Sequence, residues 1–439
     1  MTFAYLLRFV SSSFLFETEN FQPKYNRVVF PSIVKDLDLY QFFAANFDDS
    51  LLNGNISYQF KQSDDGGYVG KTIEYPTINS YLVINEENVV NNDITIITQI
   101  SVNRLNLLYD IAASWGGSIS CVLFVENFSE LLNLNENLKL FEMNMKSDPY
   151  KKSKLILSLL FGIEFMVDHV TPSIHHPYDF LYPINALRNV ALKNAKTDYI
   201  FSLDADFLPS KGSFEFLTND LYYKKLKTLS AMNKGYTAFA FAAFELLTVN
   251  FRVPFNREDL DKLCSEVKAI PFHSKISIAK ENLNFAKVKR WCQGDILNYH
   301  TKVTDIQFLT NFTRWFKAMD IYPIEKDKTQ LDRYYEPYFI ALKSHIPLFD
   351  ERFRGYSFNK RQHNIALQYL NYDFLVLPEV FVIHRWHIIS SSKKRLNGLV
   401  KSTVGRVYNA FLTEMYNKYS KNSEFFPIKK NPLYFQNFM

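Results

Sequence analysis

The chain has 439 residues, 47% hydrophobic and 22% charged, a composition that excludes a disordered chain and allows one large or two medium domains. Fifty basic residues against 45 acidic leave a formal charge of +5, too small an excess for a nucleic-acid-binding surface. Three scattered cysteines, Cys121, Cys264 and Cys292, exclude a zinc site or a disulfide framework and leave room for one disulfide.

The opening MTFAYLLRFVSSSFLF is apolar but broken by Arg8 and three serines, short of the ~20 apolar residues that span a bilayer. A weak signal, a truncated anchor and a buried segment all fit it. Three N-x-S/T sequons, at Asn55, Asn127 and Asn311, are no more than chance supplies in an Asn-rich chain, so they do not establish secretion. Residues 1–90, with a polar turn-like patch QSDDGGYVGK at 62–71, are read as an N-terminal extension packing on the main domain. From Ile94 the pattern sharpens. ITIITQIS predicts a strand, and VNRLNLLYDIAASW carries Leu105, Leu108, Ile111, Ala112 and Trp115 at helical spacing. GGSISCVLFV is a turn into a second strand. Strand, helix, strand opens a βαβ unit and predicts a parallel sheet.

Downstream, EFMVDHV (164–170) is read as a strand and YPINALRNVALKNA (182–195) as a helix, with Pro183 tolerable in its first turn. DYIFSLDAD (198–206) supplies the next strand, TAFAFAAFELL (237–247) and FLVLPEVFVIH (374–384) further apolar segments. With no repeat or low-complexity linker, one α/β domain over 91–420 and a tail over 421–439 is the simplest division.

The chain holds three D-x-D triplets, Asp36-Leu-Asp38, Asp204-Ala-Asp206 and Asp259-Leu-Asp261. Only the middle one ends an apolar strand, where open α/β sheets bind their ligands. Adjacent carboxylates repel, and a divalent cation relieves that repulsion; oxygen ligands suit Mg²⁺ or Mn²⁺. A pair of aspartates capping the next turn fits the local pattern about as well. Haloacid-dehalogenase-like phosphatases place such a pair on the first strand of the domain, whereas this one follows about 110 residues of βα pattern. A mid-domain position favours a nucleotide-sugar transferase.

The stretch YPINALRNVALKNAKTDYIFSLDADFLPS (182–210) closely resembles the signature of glycosyltransferase family 49, whose usual form is D-x-D-F-L-P. Three further blocks fall in family order: ITIITQISVNRL with SWGGSIS, TNFTRW (310–315), and residues 335–363 with 374–384. The family includes glucuronyltransferases acting on the glycan of α-dystroglycan. The resemblance implies a GT-A fold with a mostly parallel central sheet, a UDP-sugar donor, Mn²⁺ (or Mg²⁺), a glycan or glycoprotein acceptor and an inverting mechanism. It makes Asp204, Asp206 and His384 the metal ligands, with His387 as local competitor. Thr98, Gln99, Ser101, Arg104, Arg188, Asn189, Asp204 and Lys360 are the expected donor-binding residues, and Asp350 or Glu351 the expected catalytic base. Arg354, Lys360 and Arg385 are candidates for a uronate carboxylate or the diphosphate. It further implies a Golgi enzyme, lumenal or membrane-bound; membrane association is left open and a homodimer allowed. The competing expectation is an inactive member of the fold kept as a carbohydrate-binding or complex-forming protein. Two departures are visible: Ser357 stands where the family usually has a second glycine, and Gln307-Phe308 where it has Gly-His.

Overall fold

The computed structural model describes residues 69–70, 72–86, 92–131, 134–150, 152–165, 176–247, 253–266, 268–272, 307–325, 335–385 and 398–419. The opening segment, the 62–68 patch, most of the expected 164–170 strand, Cys292, His387 and the 421–439 tail lie outside them. Among the described residues eleven strands form one sheet in the order β1 (Thr77–Ile84), β4 (Leu155–Phe161), β3 (Ile119–Val125), β2 (Ile94–Ser101), β5 (Tyr199–Ser202), β10 (Tyr338–Leu342), β7 (Thr237–Leu246), β11 (Asp373–His384) and β6 (Phe207–Pro209), with β8 (Ala269–Pro271) on β7 and β9 (Tyr322–Pro323) on β11.

The first half is the predicted βαβ arrangement. β2 (Ile94–Ser101) runs through a short 3₁₀ turn into α1 (Leu107–Trp115), which ends at Gly116. Gly116 has φ +78°, a left-handed C-cap that a Cβ would disfavour. β3 (Ile119–Val125) then pairs parallel with β2. α2 (Leu134–Met145) leads to β4 (Leu155–Phe161), parallel to β3. The sequence reading did not mark β4, the run LILSLLF; just after it, Ile163–Phe165 form a 3₁₀ turn. That run is apolar without alternation, so its period cannot distinguish a buried parallel strand from a helix. β1 (Thr77–Ile84), within the region read as an extension, pairs antiparallel with β4 at the sheet edge.

α3 (Ile184–Asn194), with Pro183 as its N-cap, packs on β2 and β3, and Asn185 to Leu192 are all buried. β5 (Tyr199–Ser202) joins β2 in parallel. The second half is mixed. β6 (Phe207–Pro209), α4 (Asp220–Met232) and β7 (Thr237–Leu246) are followed by α5 (Arg257–Ser265) and β8 (Ala269–Pro271). Then come α6 (Phe312–Lys317), β9 (Tyr322–Pro323), β10 (Tyr338–Leu342), α7 (Arg361–Tyr369), β11 (Asp373–His384) and α8 (Gly398–Tyr419). β10 lies antiparallel between β5 and β7, while β11 is parallel to β7. The β7–β11 register breaks between Leu377 and Phe381. Pro378 sits in that break, where a residue without an N–H costs the ladder least.

Two cores sandwich the sheet. One face buries Phe201, Phe241, Tyr338, Val382 and the α1 residues; the other buries Ile97, Ile200, Phe339 and the α3 residues. Phe201 and Phe241 stack at 4.2 Å across the intervening β10; each such ring contributes about 2–3 kcal/mol by burial. The architecture is the α/β arrangement expected from the sequence, a central sheet flanked by helices. Among the described residues no helix is long and apolar enough to cross a membrane.

Candidate active site

The D-x-D turn is fixed by backbone before any side chain acts. Leu203 N–H donates to Ile97 O at the end of β5, and Phe207 N–H donates to Asp204 O, closing the turn. β6 then pairs with the end of β11, Phe207 opposite His384. Arg385 N–H donates to Asp206 O, and its guanidinium donates to Ala205 O while pairing with Asp110. Arg385 thus holds the turn from behind.

The two aspartates face different partners. Asp204 Oδ1 accepts from Arg188 Nη2 at 2.7 Å and, at 3.4 Å, from Gln99 Nε2. Its Oδ2 accepts from Tyr338 Oη and lies 3.0 Å from Lys360 Nζ. Burial by itself would raise its pKa, but the Lys360 and Arg188 cations outweigh that and hold the carboxyl well below its ordinary range. Tyr338 is driven far the other way by burial and by Asp204 and Asp206, which keeps its hydroxyl a donor. Lys360 also donates to Tyr338 Oη at 2.7 Å.

Asp206 faces His384. Its Oδ2 lies 3.8 Å from His384 Nε2 and 3.9 Å from Arg104 Nη2. Metal–ligand bonds of ~2.1 Å span such a gap, so this oxygen and imidazole pair fits a divalent ion. Asp204 is instead turned to Arg188 and Lys360, and among the described residues no group of three or more His, Cys, Asp or Glu side chains is arranged to hold a metal. Charge accumulates around the turn: Arg104, Arg188, Lys360 and Arg385 stand against Asp110, Asp204 and Asp206. The four cations are fixed partners that an anionic ligand could meet.

Residues 93–296 and 288–420 match the family described as "Glycosyl-transferase for dystroglycan". The chain belongs to that family. Among similar curated proteins, mouse "Xylosyl- and glucuronyltransferase LARGE2" is 28% identical over 296 residues, 67% of this chain and 34% of that protein. The Caenorhabditis elegans "Glycosyltransferase-like protein LARGE" is 28% identical over 305 residues, 69% of this chain and 40% of that one. The chain therefore spans 34 to 40% of the length of these two relatives. Among solved structures, Staphylococcus aureus TarS 1-349 in complex with UDP-GlcNAc is a distant likeness, 12% identical with a TM-score of 0.36 over 74% of this chain and 67% of that one.

The remaining residues expected from the family pattern occupy varied places. Thr98 is fully buried on β2, on the face of Ile96 and Ile100. Ser101 donates to Asn103 at the head of the 3₁₀ turn. Asn189 works within the protein, donating to Phe349 O and Glu351 Oε1 and accepting from Phe349 N–H. Asp350 is gripped by Arg352, which also reaches Glu414 on α8. Both expected bases are thus bound into the 349–360 loop. Arg354 is not available to a ligand: it is fully buried and paired with the equally buried Asp179 at 2.9 Å.

Sequence reading missed Tyr338, Asn185 and Asn359. Asn359 and Asn185 accept from Arg188 Nη1 at 3.0 and 2.9 Å. Polar residues beside the D-x-D signature (Asn185) and beside Lys360 (Asn359) were the available signal, since an arginine buried among apolar neighbours requires several acceptors.

Proposed function

We propose that the chain is a metal-dependent, inverting glycosyltransferase that moves a sugar from a UDP-sugar to a glycan acceptor. The observation that carries this reading is the strand-end cluster. Asp204 is neutralised by Arg188 and Lys360, while two residues on Asp206 faces His384, in a chain that belongs to a glycosyltransferase family.

Asp206 and His384 would hold Mn²⁺ or Mg²⁺. Bound there, the ion supplies positive charge to the diphosphate as the glycosidic bond breaks. Lys360 beside Asp204 and Arg104 beside Asp206 add fixed cations for the same anion. Gln99 and Arg188 line the donor side, reached from β2 and α3. The relatives' names, xylosyl- and glucuronyltransferase, support UDP-xylose and UDP-glucuronic acid as the first donors to try, and the family resemblance supports the Golgi lumen as the compartment.

That Asp204 is turned to Arg188 and Lys360 rather than to His384 favours a second reading, a UDP- or carbohydrate-binding protein without turnover. UDP release from a panel of UDP-sugars, with and without Mn²⁺, separates the two. The transferase reading expects metal-dependent release from one donor, abolished in Asp206→Ala. UDP binding with no turnover, whatever the glycan acceptor, would sink it.

A further inference from the structure

Along β7, Phe241 and Ala243 belong to the core on the α1 side of the sheet, as do Val380 and Val382 on β11. Side chains alternate along a strand, so the next residue on that face of β7 is Glu245 and the next on β11 is His384. The parallel register sets these two opposite each other, at the ~4.8 Å spacing of neighbouring strands. An apolar face thus ends, at the carboxyl ends of both strands, in a carboxylate beside the histidine that faces Asp206.

β8 borders Glu245 on the other side, with Ile270 as its register partner. Phe272 follows directly, its N–H bonded to Ala243 O and its ring 4.9 Å from that of His384. Ala243 and Phe244, just before Glu245, are fully closed to water, while Glu245 keeps 8% of its surface and Phe272 the same. Glu245 Oε1 is itself closed to water, so the residue lies just inside a rim beside an aromatic ring, a pairing that suits a pyranose, whose C–H face packs on rings while its hydroxyls need acceptors.

We propose that Glu245 receives the proton of the acceptor hydroxyl during transfer, an assignment that rests on the transferase reading above. In an inverting reaction the acceptor oxygen approaches opposite the leaving diphosphate. The donor side is built from β2, β5 and α3. Glu245 is on β7, with β10 between it and β5, and so stands apart from those donor-side elements. In the step, the acceptor O–H bond breaks and its proton passes to a Glu245 oxygen. The freed electron pair bonds the anomeric carbon, and the old carbon–oxygen bond leaves its pair on UDP. Asp350 and Glu351 are held by Arg352 and Asn189.

The test uses the full chain, with the donor and acceptor that the UDP-sugar panel identifies for the wild type. Glu245→Gln is expected to keep its UDP affinity and donor KM within about threefold while kcat for transfer falls by ~10²-fold or more. Glu245→Ala, with room left for a small carboxylate, is expected to regain transfer when formate is added. Transfer by Glu245→Gln within tenfold of wild type overturns the assignment and leaves the transferase reading standing. A Glu245→Gln chain that loses UDP binding, together with a Glu245→Ala chain that formate does not restore, overturns it too and marks Glu245 as structural. A wild-type chain that binds UDP and turns over no donor overturns both readings.

Discussion

Asp204 and Asp206 are two residues apart in sequence and differ in what removing their charge would cost. Arg188 is 3% exposed, and its guanidinium is paired with Asp204. Taking away the partner of a buried charge typically costs 3–5 kcal/mol, because the remaining ion is stranded out of water. Lys360 is only partly buried and offsets part of this by turning to solvent. Asp204→Asn is therefore expected to lose about 3 kcal/mol of unfolding free energy in urea. Asp206→Asn, whose side chain keeps 23% of its surface, is expected to lose about 1 kcal/mol or less. Equal losses would contradict the division between an aspartate that organises cations and one that serves a ligand. The existence of the pair was legible in the sequence because it interrupts an apolar strand. Of its partners, Gln99, Arg188 and Lys360 were named only through the family resemblance, and Tyr338 was missed, since it lies 134 residues away in the chain and nothing local marks a contact at that distance.

At the scale of elements, the 349–360 loop positions Lys360 and Asn359 and is fastened at three places. Asn189 and Asn185 on α3 hold its start through Phe349 O and Asp350 O, Arg352 reaches α8, and Arg354 is locked to Asp179 in the turn Pro177–Phe180. Within it Ser357 and Phe358 have φ of +95° and +57°, conformations costing roughly 1–2 kcal/mol each without glycine. The fastenings hold that strain. Asp179→Asn leaves the Arg354 charge buried, and a loss of about 3–5 kcal/mol is expected, together with weaker UDP binding as Lys360 loses its fixed position. Denaturation and UDP titration on the same preparation check both; an unchanged UDP affinity in the folded variant would show that the loop does not need this anchor. β7 was read only as an apolar segment, whereas the strands β2, β3, β5 and β11 and the helices α1 and α3 were legible because turn residues or periodicity bounded them. β4 and β10 were not: LILSLLF and YFIAL are short apolar runs whose strand character comes from their neighbours in the sheet.

For the whole molecule, acid should act through His363. It is fully enclosed between α7 and the loop, its Nε2 2.9 Å from Pro347 O and its ring stacked 3.7 Å from Phe349. Burial pushes its pKa from 6.5 down to about 4, against the opposing bond to Pro347 O. The folded-state value is depressed, so between those pH values the unfolded chain binds the proton and the folded chain does not. The contribution is complete above about pH 6.5 and is lost as pH falls towards 4, amounting to about 3 kcal/mol at ~1.4 kcal/mol per pH unit. Thermal unfolding from pH 7 to 4 should show a shallower acid decline in His363→Gln than in the wild type. Parallel declines would mean that other groups carry the acid sensitivity.

The sheet order also bears on how the chain comes off the ribosome. β5 and β7 are made early, yet the strand between them, β10, begins at Tyr338, about 90 residues after β7 ends. Until β10 arrives, both neighbours present open, almost wholly apolar edges, the kind that pair with other chains. A nascent chain halted before residue 335 carries Asp204, Arg188 and Glu245 but, among the described strands, no partner for either edge beyond the three-residue β8 at the end of β7. It is the product most in need of a chaperone, and truncations there should be recovered as aggregates.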